Sequence, residues 1–388
     1  MAVIRLFFVI LCGIEELTVK NKEQKPMKVL FDHQIFSFRY GGASKYFAML
    51  MNYLPKGSCA STSLFSCNEY VRAKQLFRTY PYMFRGQSPV TDILNTPYTH
   101  YCLRRRDYDV FHQTNFGTSF IGDIGDKPMV TTYHDSNLST IDPHPEIVER
   151  QRLSLKRADA VIAVSNNTKD DLLELFDIDE RKVHVVYHGI EMPDLSLLPQ
   201  ERILEFPYIL YVGRRSEYKN FWRLAEAFAH IHPAYPDIHM VCTSEGFSAQ
   251  EADRFAGLGI GDAVHHISAD ETTMQRLYRD ATLFVFPSLY EGFGMPILES
   301  WSCGCPVALS AASCFPEIAG DAGMFFDPKD VDSIADCLGR LLGDETLLRD
   351  YKARGMKRVR QFSWQKCADE HMRVYSDILA AAGTRKSK

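Results

Sequence analysis

LFVFPSLYEGFGMPILES, from Leu283 to Ser300, is the stretch of sequence that decides the fold. Its first five residues form an apolar run with the composition of a strand that is buried on both faces. Gly292 and Gly294 follow in a turn, where a backbone without Cβ atoms can approach a bound group and leave N–H donors free for an anion. Pro296 suits the first turn of a helix, whose N-terminus also favours negative charge. The stretch therefore predicts a strand, a glycine loop and a helix start.

Two carboxylates flank this loop. Glu291 lies at its mouth, and Glu299 lies about two helical turns deeper, where a carboxylate can accept paired hydrogen bonds from the hydroxyls of a ribose or a sugar. The alternative is a glycine turn with two solvated glutamates, and for either glutamate alone that alternative is preferable. The number of fixed positions in the whole string favours a binding site instead.

A second strand end carries cations. The segment YVGRRSEYKN (Tyr211–Asn220) leaves a predicted strand, turns at a glycine and enters a helix. Ligands of open α/β sheets bind at the C-terminal ends of the strands. Arg214, as a planar fork, and Lys219, as a point charge, can therefore neutralise a diphosphate there. Arg215 is expected to be structural.

Two weaker motifs lie in the first half of the chain. Gly41 and Gly42 stand where a loop becomes a helix, so their amides can face a phosphate or an acceptor, although a simple helix-start pair of glycines fits equally well. His134 follows the predicted strand Met129–Tyr133. A lone histidine is usually a core or surface residue, but its place at a strand end makes His134 a candidate site residue.

Strand-like and helix-like segments alternate along the chain, which predicts parallel sheets in α/β domains. A length of 388 residues agrees with two domains, and the Pro-, Ser- and Glu-rich composition that ends at Phe206 indicates a linker between them. We predict the following division: an extension outside the core over 1–26, an N-terminal domain over 27–192, a C-terminal domain over 193–364, and a last helix with a disordered tail over 365–388.

The start of one helix in the first half shows a capping pattern. Ser165 to Thr168 is predicted to cap a helix that continues through Leu175, with Thr168 and Asp171 at the spacing of a capping box. His188, just before the linker, is expected to have a structural role.

Charge and composition limit the partners. A formal net charge of -5 provides no basic field for nucleic acid. The run Arg104-Arg105-Arg106 can touch a membrane surface or an anionic acceptor, but so short a run is more typical of a solvated helix face. The ten cysteines are scattered and lack the paired spacing of a zinc or redox site, which indicates reduced packing cysteines of a cytosolic protein.

The N-terminus carries an apolar run of nine residues, Leu6 to Ile14. This run is too short to span a bilayer, which takes about 20 residues. We favour an upstream-start extension over an exported signal, with a peripheral membrane anchor as the alternative.

The segment from Glu291 to Glu299 resembles the EGFG-x-P-x-x-E signature of the retaining, nucleotide-sugar-dependent glycosyltransferases of family 4 (glycosyl transferases group 1) in the GT-B class. The resemblance implies two Rossmann-like domains that face each other across a cleft, with a C-terminal helix that crosses back to the N-terminal domain. By position, it implies that Glu291 contacts the transferred sugar and that Glu299 binds the ribose. The loop residues that it places at the diphosphate are Gly292, Phe293 and Gly294, and Met295 is expected as a further donor-binding residue.

The same resemblance extends to the other motifs. It implies that Arg214 and Lys219 replace the divalent metal of other transferases, so that no metal and no covalently bound cofactor is expected. It places Gly41 and Gly42 opposite the donor across the cleft, and His134 near a hydroxyl of the transferred sugar.

The expected activity is the retaining transfer of a hexose from a nucleotide-diphosphate sugar to a glycan or a lipid-linked acceptor in polysaccharide or lipopolysaccharide biosynthesis. The opening DHQIF…RYGGASKYF (Asp32–Phe47) resembles bacterial polysaccharide mannosyltransferases, which suggests GDP-mannose. The expected location is cytoplasmic, with peripheral contact to the inner face of the membrane left open. The alternatives are a nucleotide-sugar epimerase, a phosphorylase, for which no pyridoxal-phosphate lysine is marked, and an inactive transferase-like subunit, which predicts decay of the four charged site residues.

Overall fold

Two six-stranded, all-parallel sheets form the framework of the chain. The computed structural model describes residues 27–136 and 144–386, so the predicted extension over 1–26 and the end of the predicted tail lie outside the described residues. Within the described ranges, no helix is long and apolar enough to cross a membrane.

The first sheet has the strand order β2-β1-β3-β4-β5-β6. Its strands are β1 (Val29–Phe31), β2 (Cys59–Ser61), β3 (Val110–Gln113), β4 (Met129–Tyr133), β5 (Ala160–Ala163) and β6 (Val183–Val185). The helices of this half are α1 (Gly42–Tyr53), α2 (Glu69–Ala73), α3 (Gln87–Arg105), α4 (Ile121–Ile124), α5 (Pro145–Arg157) and α6 (Asn166–Leu175).

The second sheet has the order β12-β11-β10-β7-β8-β9. Its strands are β7 (Tyr208–Tyr211), β8 (His239–Cys242), β9 (Val264–His266), β10 (Leu283–Phe286), β11 (Val307–Ser310) and β12 (Met324–Phe326). The helices are α7 (Phe221–Ile231), α8 (Ala249–Gly257), α9 (Glu271–Asp280), α10 (Met295–Ser302), α11 (Phe315–Ala319), α12 (Val331–Leu342), α13 (Glu345–Arg358) and α14 (Trp364–Lys386).

Strand β10 lies in the interior of its sheet, between β7 and β11. All four of its residues are buried, because helices cover both faces of the sheet. The prediction of a strand buried on both faces is therefore confirmed, as is the α/β class with two Rossmann-like halves.

Helix α14 begins in the second half of the chain and packs on the first. Trp364 and Tyr375 belong to the same apolar cluster as Phe47 on α1. The Tyr375 hydroxyl lies 2.6 Å from His112 Nδ1 on β3. The predicted crossing helix is thus confirmed, and it continues to Lys386 at its C-terminal end.

The two connections between the halves run side by side. Ile190 N–H donates to the Phe362 carbonyl at 3.3 Å, and Ile190 and Ser363 form a parallel bridge. A Cβ on Gly189 would lie 2.1 Å from Trp364 N, so only glycine allows this approach. These crossings lie beside the predicted domain boundaries, after residues 192 and 364, which stay predictions.

Two local features differ from the sequence interpretation. The N-cap of α6 is Ser165, whose Oγ accepts from Thr168 N–H at 3.0 Å; Asp171 is not part of a capping box and instead accepts from the Tyr290 hydroxyl. Helix α3 was not predicted at all. Most of its buried positions are polar, so its sequence lacks the apolar stripe by which an amphipathic helix is recognised.

Candidate active site

The second sheet brings two candidate loops together. Its strand order changes direction at β7, so the loops that follow the neighbouring strands β7 and β10 leave the same edge of the sheet at a topological switch point. Lys219, from the first loop, and Glu291, from the second, meet there with Nζ and Oε1 2.5 Å apart. Both side chains are largely buried. This ion pair is the centre of the candidate site.

The backbone around the pair is fixed by small polar side chains. Asn220 Nδ2 donates to the Pro287 carbonyl at 3.1 Å, which ties the Lys219 loop to the end of β10. Ser313 Oγ accepts from Glu291 N–H at 3.1 Å and donates to the Glu291 carbonyl at 2.6 Å. Glu291 is thereby held at both polar groups of its main chain.

The glycine loop has the conformation that its sequence requires. Gly294 has φ +87°, in the left-handed region that favours glycine, and immediately precedes α10. Among the described residues, none accepts a hydrogen bond from the main-chain N–H of Gly292, Phe293 or Gly294. Unpaired amides beside a helix N-terminus form an anion site.

The N-terminal half packs directly on this loop. The Gly292 carbonyl accepts hydrogen bonds from Ser165 Oγ at 2.7 Å and from Thr168 Oγ1 at 3.0 Å, both at the start of α6. A Cβ on Gly292 would lie 1.8 Å from the main-chain oxygen of His134. Because C=O and N–H point in opposite directions across a trans peptide, fixing the Gly292 carbonyl towards α6 turns the N–H of Phe293 away from α6.

The far end of the motif also reaches the N-terminal half, through charge. Lys45 Nζ on α1 lies 3.1 Å from Glu299 Oε1 on α10, and both side chains are partly exposed. Burial acts to lower the pKa of Lys45, but the Glu299 carboxylate outweighs it and raises that pKa. The start of α1, with the exposed Gly41 and Gly42, therefore lies on the side of the cleft that faces α10.

The two arginines after β7 have different surroundings. Arg214 is 80% exposed, and its Nε lies 3.7 Å from Glu245 Oε1, so the structure does not bring it to the Lys219–Glu291 pair. Arg215 is buried against Glu251, at 2.5 Å, and donates to the carbonyls of Glu245 and Gly246.

A cavity of about 580 Å³ opens in the N-terminal half, with His134 in its wall. It lies at the corresponding edge of the first sheet, because its lining comes from the segments that follow β1, β3 and β4. Its lining includes Phe38, Ser88, Pro89, Asp92 and Arg150.

His134 is a neutral side chain at neutral pH. Burial, together with the neighbouring His371, lowers the pKa of His134 to about 4. Its Nε2 is buried without a hydrogen-bond partner, while the ring packs against Tyr46 and Phe47. A buried polar atom in a cavity wall is usually satisfied by water or a ligand, and a neutral imidazole can offer either a donor or an acceptor.

The side chains of Phe293 and Met295 pack rather than point at an open site. Phe293 is buried and stacks on His188, with ring centroids 4.5 Å apart. Met295 packs against the apolar cluster of the C-terminal half. Any contact of these two residues with a donor would therefore be made by their main chain.

Several residues that hold the site were missed by sequence reasoning: Lys45, Ser165, Thr168, Tyr290 and Ser313. Ser165 and Thr168 were visible only as helix-capping residues, and Lys45 only as part of GGASKY. Tyr290 lies inside the quoted motif, and its hydroxyl accepts from Ser136 N–H at 2.9 Å and donates to Asp171 at 2.6 Å. The described residues contain no group of three or more His, Cys, Asp or Glu side chains that could hold a metal ion.

Two family models match the chain. Residues 199–358 match the model described as glycosyl transferases group 1, and residues 40–193 match that of glycosyltransferase family 4. The two matches divide the chain near the linker, in agreement with its two halves.

Individual relatives are similar over most of the chain. The O-antigen chain mannosyltransferase B of Escherichia coli is 29% identical over 267 residues, which is 63% of this chain and 69% of that protein. The MMP alpha-(1->4)-mannosyltransferase of Mycolicibacterium hassiacum is 29% identical over 303 residues, 71% of this chain and 72% of that protein. Anabaena HepE, solved in complex with UDP-glucose, has a TM-score of 0.70 at 16% identity, covering 92% of this chain and all of that one. This last likeness shows the fold.

Proposed function

Since the chain belongs to the family 4 type of GT-B glycosyltransferases (glycosyl transferases group 1), we propose that it transfers a hexose, with retention of configuration, from a nucleotide-diphosphate sugar to a glycan or lipid-linked acceptor in polysaccharide biosynthesis. GDP-mannose is the proposed donor, because relatives at 29% identity are named mannosyltransferases. The observation that carries the proposal is the Lys219–Glu291 pair beside the unpaired glycine-loop amides.

The chemistry needs these groups. Breaking the bond between sugar and phosphate develops positive charge at the anomeric carbon and negative charge on the leaving diphosphate. Lys219 and the amides of Phe293 and Gly294 stabilise that negative charge, and Arg214 joins them from its exposed position when the donor is bound. No metal is required in this arrangement, so we expect activity to persist in the presence of a chelator.

The carboxylates position the donor. Glu291 orients Lys219 and contacts the sugar, while Glu299 accepts hydrogen bonds from the ribose hydroxyls. Neither is proposed as a covalent nucleophile. The acceptor occupies the N-terminal cavity, and His134 Nε2, in its wall, meets a hydroxyl of the transferred sugar. The amides of Gly41 and Gly42 face the donor across the cleft.

Slow hydrolysis of the donor provides the test, because a transferase without acceptor can pass the sugar to water. The purified protein is incubated with GDP-mannose and with UDP-, ADP- and dTDP-sugars, and nucleoside diphosphate release is measured. We expect release from one donor class, and at least a hundredfold loss in Glu291→Gln.

Glu345→Gln is the matched control, since Glu345 is an exposed glutamate at the start of α13. It should leave the rate unchanged. Failure of the protein to bind or hydrolyse any nucleotide sugar would overturn the proposal, and the anomeric configuration of the transferred sugar, read by NMR, decides retention.

A further inference from the structure

Helix α3 is packed with its polar side inwards. Its buried positions include Gln87, Thr91, Asn95 and Thr99, one on each successive turn. These side chains are paired within the protein. Asn95 Oδ1 accepts from the main-chain N–H groups of Leu64 and Phe65, at 2.9 Å each. Thr99 Oγ1 lies 2.7 Å from His33 Nδ1, and Thr91 Oγ1 donates to the Ser88 carbonyl at 2.8 Å.

The apolar side of α3 consequently faces outwards. The residues of its exposed face recur every three or four positions, as one side of a helix requires. They are Val90, Ile93, Leu94, Pro97 and Tyr101. Ile93 is 70% exposed, and Met83, 73% exposed, extends the apolar surface before the helix begins. Large apolar side chains clustered on one exposed face mark an interaction surface rather than a scatter of single residues.

Arginines flank this face at both of its ends. Residues 78–106 contain five arginines and one aspartate, although the whole chain has a formal net charge of -5. Arg104 pairs with Asp123, and Arg106 pairs with Asp126. The Arg78 and Arg105 guanidiniums lie over the rings of Tyr80 and Tyr101. Arg85 stands just before the helix and is exposed.

We propose that this outer face of α3, together with Met83 and Phe84, docks on the surface of an anionic lipid bilayer. A helix with an apolar face flanked by arginines lies in the plane of such a surface, with apolar side chains among the acyl chains and cations at the headgroups. A second copy of the chain is a poorer occupant, because symmetric pairing through this face would bring like charges together.

Docking through this face would set the orientation of the cavity. Ser88, Pro89 and Asp92, on the first turns of α3, line the cavity that contains His134, and the exposed Phe38 lies at the same wall. The cavity would therefore open close to the lipid surface. A cavity that opens near the lipid surface would give a lipid-linked acceptor a route to the site, and this consequence rests on the proposed function. The docking of α3 on the bilayer does not depend on it.

Vesicle co-sedimentation of the full chain tests the docking. Vesicles of phosphatidylcholine alone are compared with vesicles that also contain phosphatidylglycerol. We expect binding to the anionic vesicles that weakens with salt, and at least tenfold weaker binding for Ile93→Glu. Leu197→Glu is the matched control, because Leu197 is 81% exposed in the linker between the halves, and it should bind as the wild type does.

Each alternative outcome is decisive. Equal binding of wild type and Ile93→Glu would overturn the proposal, because any contribution of residues 1–26 is common to both proteins and cannot affect the difference between them. Binding to neutral vesicles as strong as to anionic ones would overturn the role of the arginines. Self-association lost in Ile93→Glu, measured by sedimentation velocity without lipid, would assign the face to a second copy instead. Donor hydrolysis by Ile93→Glu stays unchanged if only docking is lost, which separates this test from that of the proposed function.

Discussion

The two ends of the segment from Glu291 to Glu299 are attached to the N-terminal half in different ways. At the Glu291 end the attachment is neutral and close, through the hydrogen bonds of Ser165 and Thr168 to the Gly292 carbonyl. At the Glu299 end it is a single ion pair with Lys45, partly exposed to solvent. Both carboxylates have a lysine partner, but the partner of Glu291 comes from its own half of the chain and that of Glu299 from the other.

This difference indicates a division of work. The Lys219–Glu291 pair does not depend on closure of the two halves, because a change in their relative position leaves both partners on one body. The Lys45–Glu299 pair breaks when the halves separate, because its partners lie on different halves. It also weakens with salt, because dissolved ions screen partly exposed charges. Such pairs contribute only about 0.2–1 kcal/mol. The Glu291 end, proposed to hold the reacting sugar, thus keeps its lysine when the halves move, whereas the Glu299 end, proposed to hold the nucleotide, does not.

The largest expected loss of activity comes from filling the space beside Gly292, at the Glu291 end of the segment. In Gly292→Ala the new methyl group would lie 1.8 Å from the His134 carbonyl oxygen, so the loop or the neighbouring half must move. We expect a loss of at least a hundredfold in kcat/KM for sugar transfer, since displacement of positioned groups by about 1 Å costs that much.

Gly246→Ala is the control for this change. A Cβ on Gly246 meets no atom within 4 Å, so its kcat/KM should stay within about twofold of the wild type. A Gly292→Ala protein with normal activity and a normal thermal midpoint would show that the contact with His134 does not position the loop.

Replacement of Lys219 and replacement of Lys45 should affect activity to different extents. Lys219→Met should lower the rate of donor cleavage by about a hundredfold, because it removes the cation that we propose stabilises the leaving diphosphate. Lys45→Met should cost at most about fivefold, and the loss should shrink as salt is raised, in line with a partly exposed pair. Steady-state kinetics at two ionic strengths measure both; equal losses in the two variants would contradict the division between the ends.

The smallest expected effect is on the pH dependence of stability, and it concerns His188, which stacks on Phe293 of the loop. Four histidines, His112, His134, His188 and His371, are buried close together, and burial is the first cause that lowers the pKa of each below the ordinary value of 6.5. Below pH 6.5 the unfolded chain binds protons that the folded protein does not, so the unfolding free energy should fall as the pH falls. Each such histidine contributes about 1.4 kcal/mol per pH unit.

His188→Phe isolates one of these contributions. Phenylalanine preserves the ring that stacks on Phe293 and removes two buried nitrogens without partners. When the unfolding free energy is measured with urea between pH 5 and 7.5, its rise with pH should be less steep than in the wild type, by about one proton at the acid end and by little at pH 7.5. His230→Phe, at an exposed position on α7, serves as the control. An unchanged slope in His188→Phe would contradict the assignment of acid sensitivity to this cluster.

Features that depend on neighbouring residues in the sequence could be predicted, whereas contacts between distant parts of the chain could not. The strand, loop and helix start around Gly292 are local, and a single stretch of chain contains the whole pattern. The contact between Lys45 and Glu299 joins residues 254 positions apart on different halves, so no local pattern indicates it. Helix α3 was missed for another reason: its polar residues are buried, which inverts the pattern on which the prediction of amphipathic helices depends.

The crossing of α14 has a consequence for the order in which the protein is made. Trp364 and Tyr375 complete the apolar cluster that contains Phe47, and the Tyr46 hydroxyl lies 2.8 Å from His371 Nε2. The N-terminal half emerges first from the ribosome, yet part of its interior is supplied by α14, which follows the whole second sheet in the chain. The half that begins to fold first is therefore completed only after α14 has emerged, and the cavity wall beside His134 is completed at the same time.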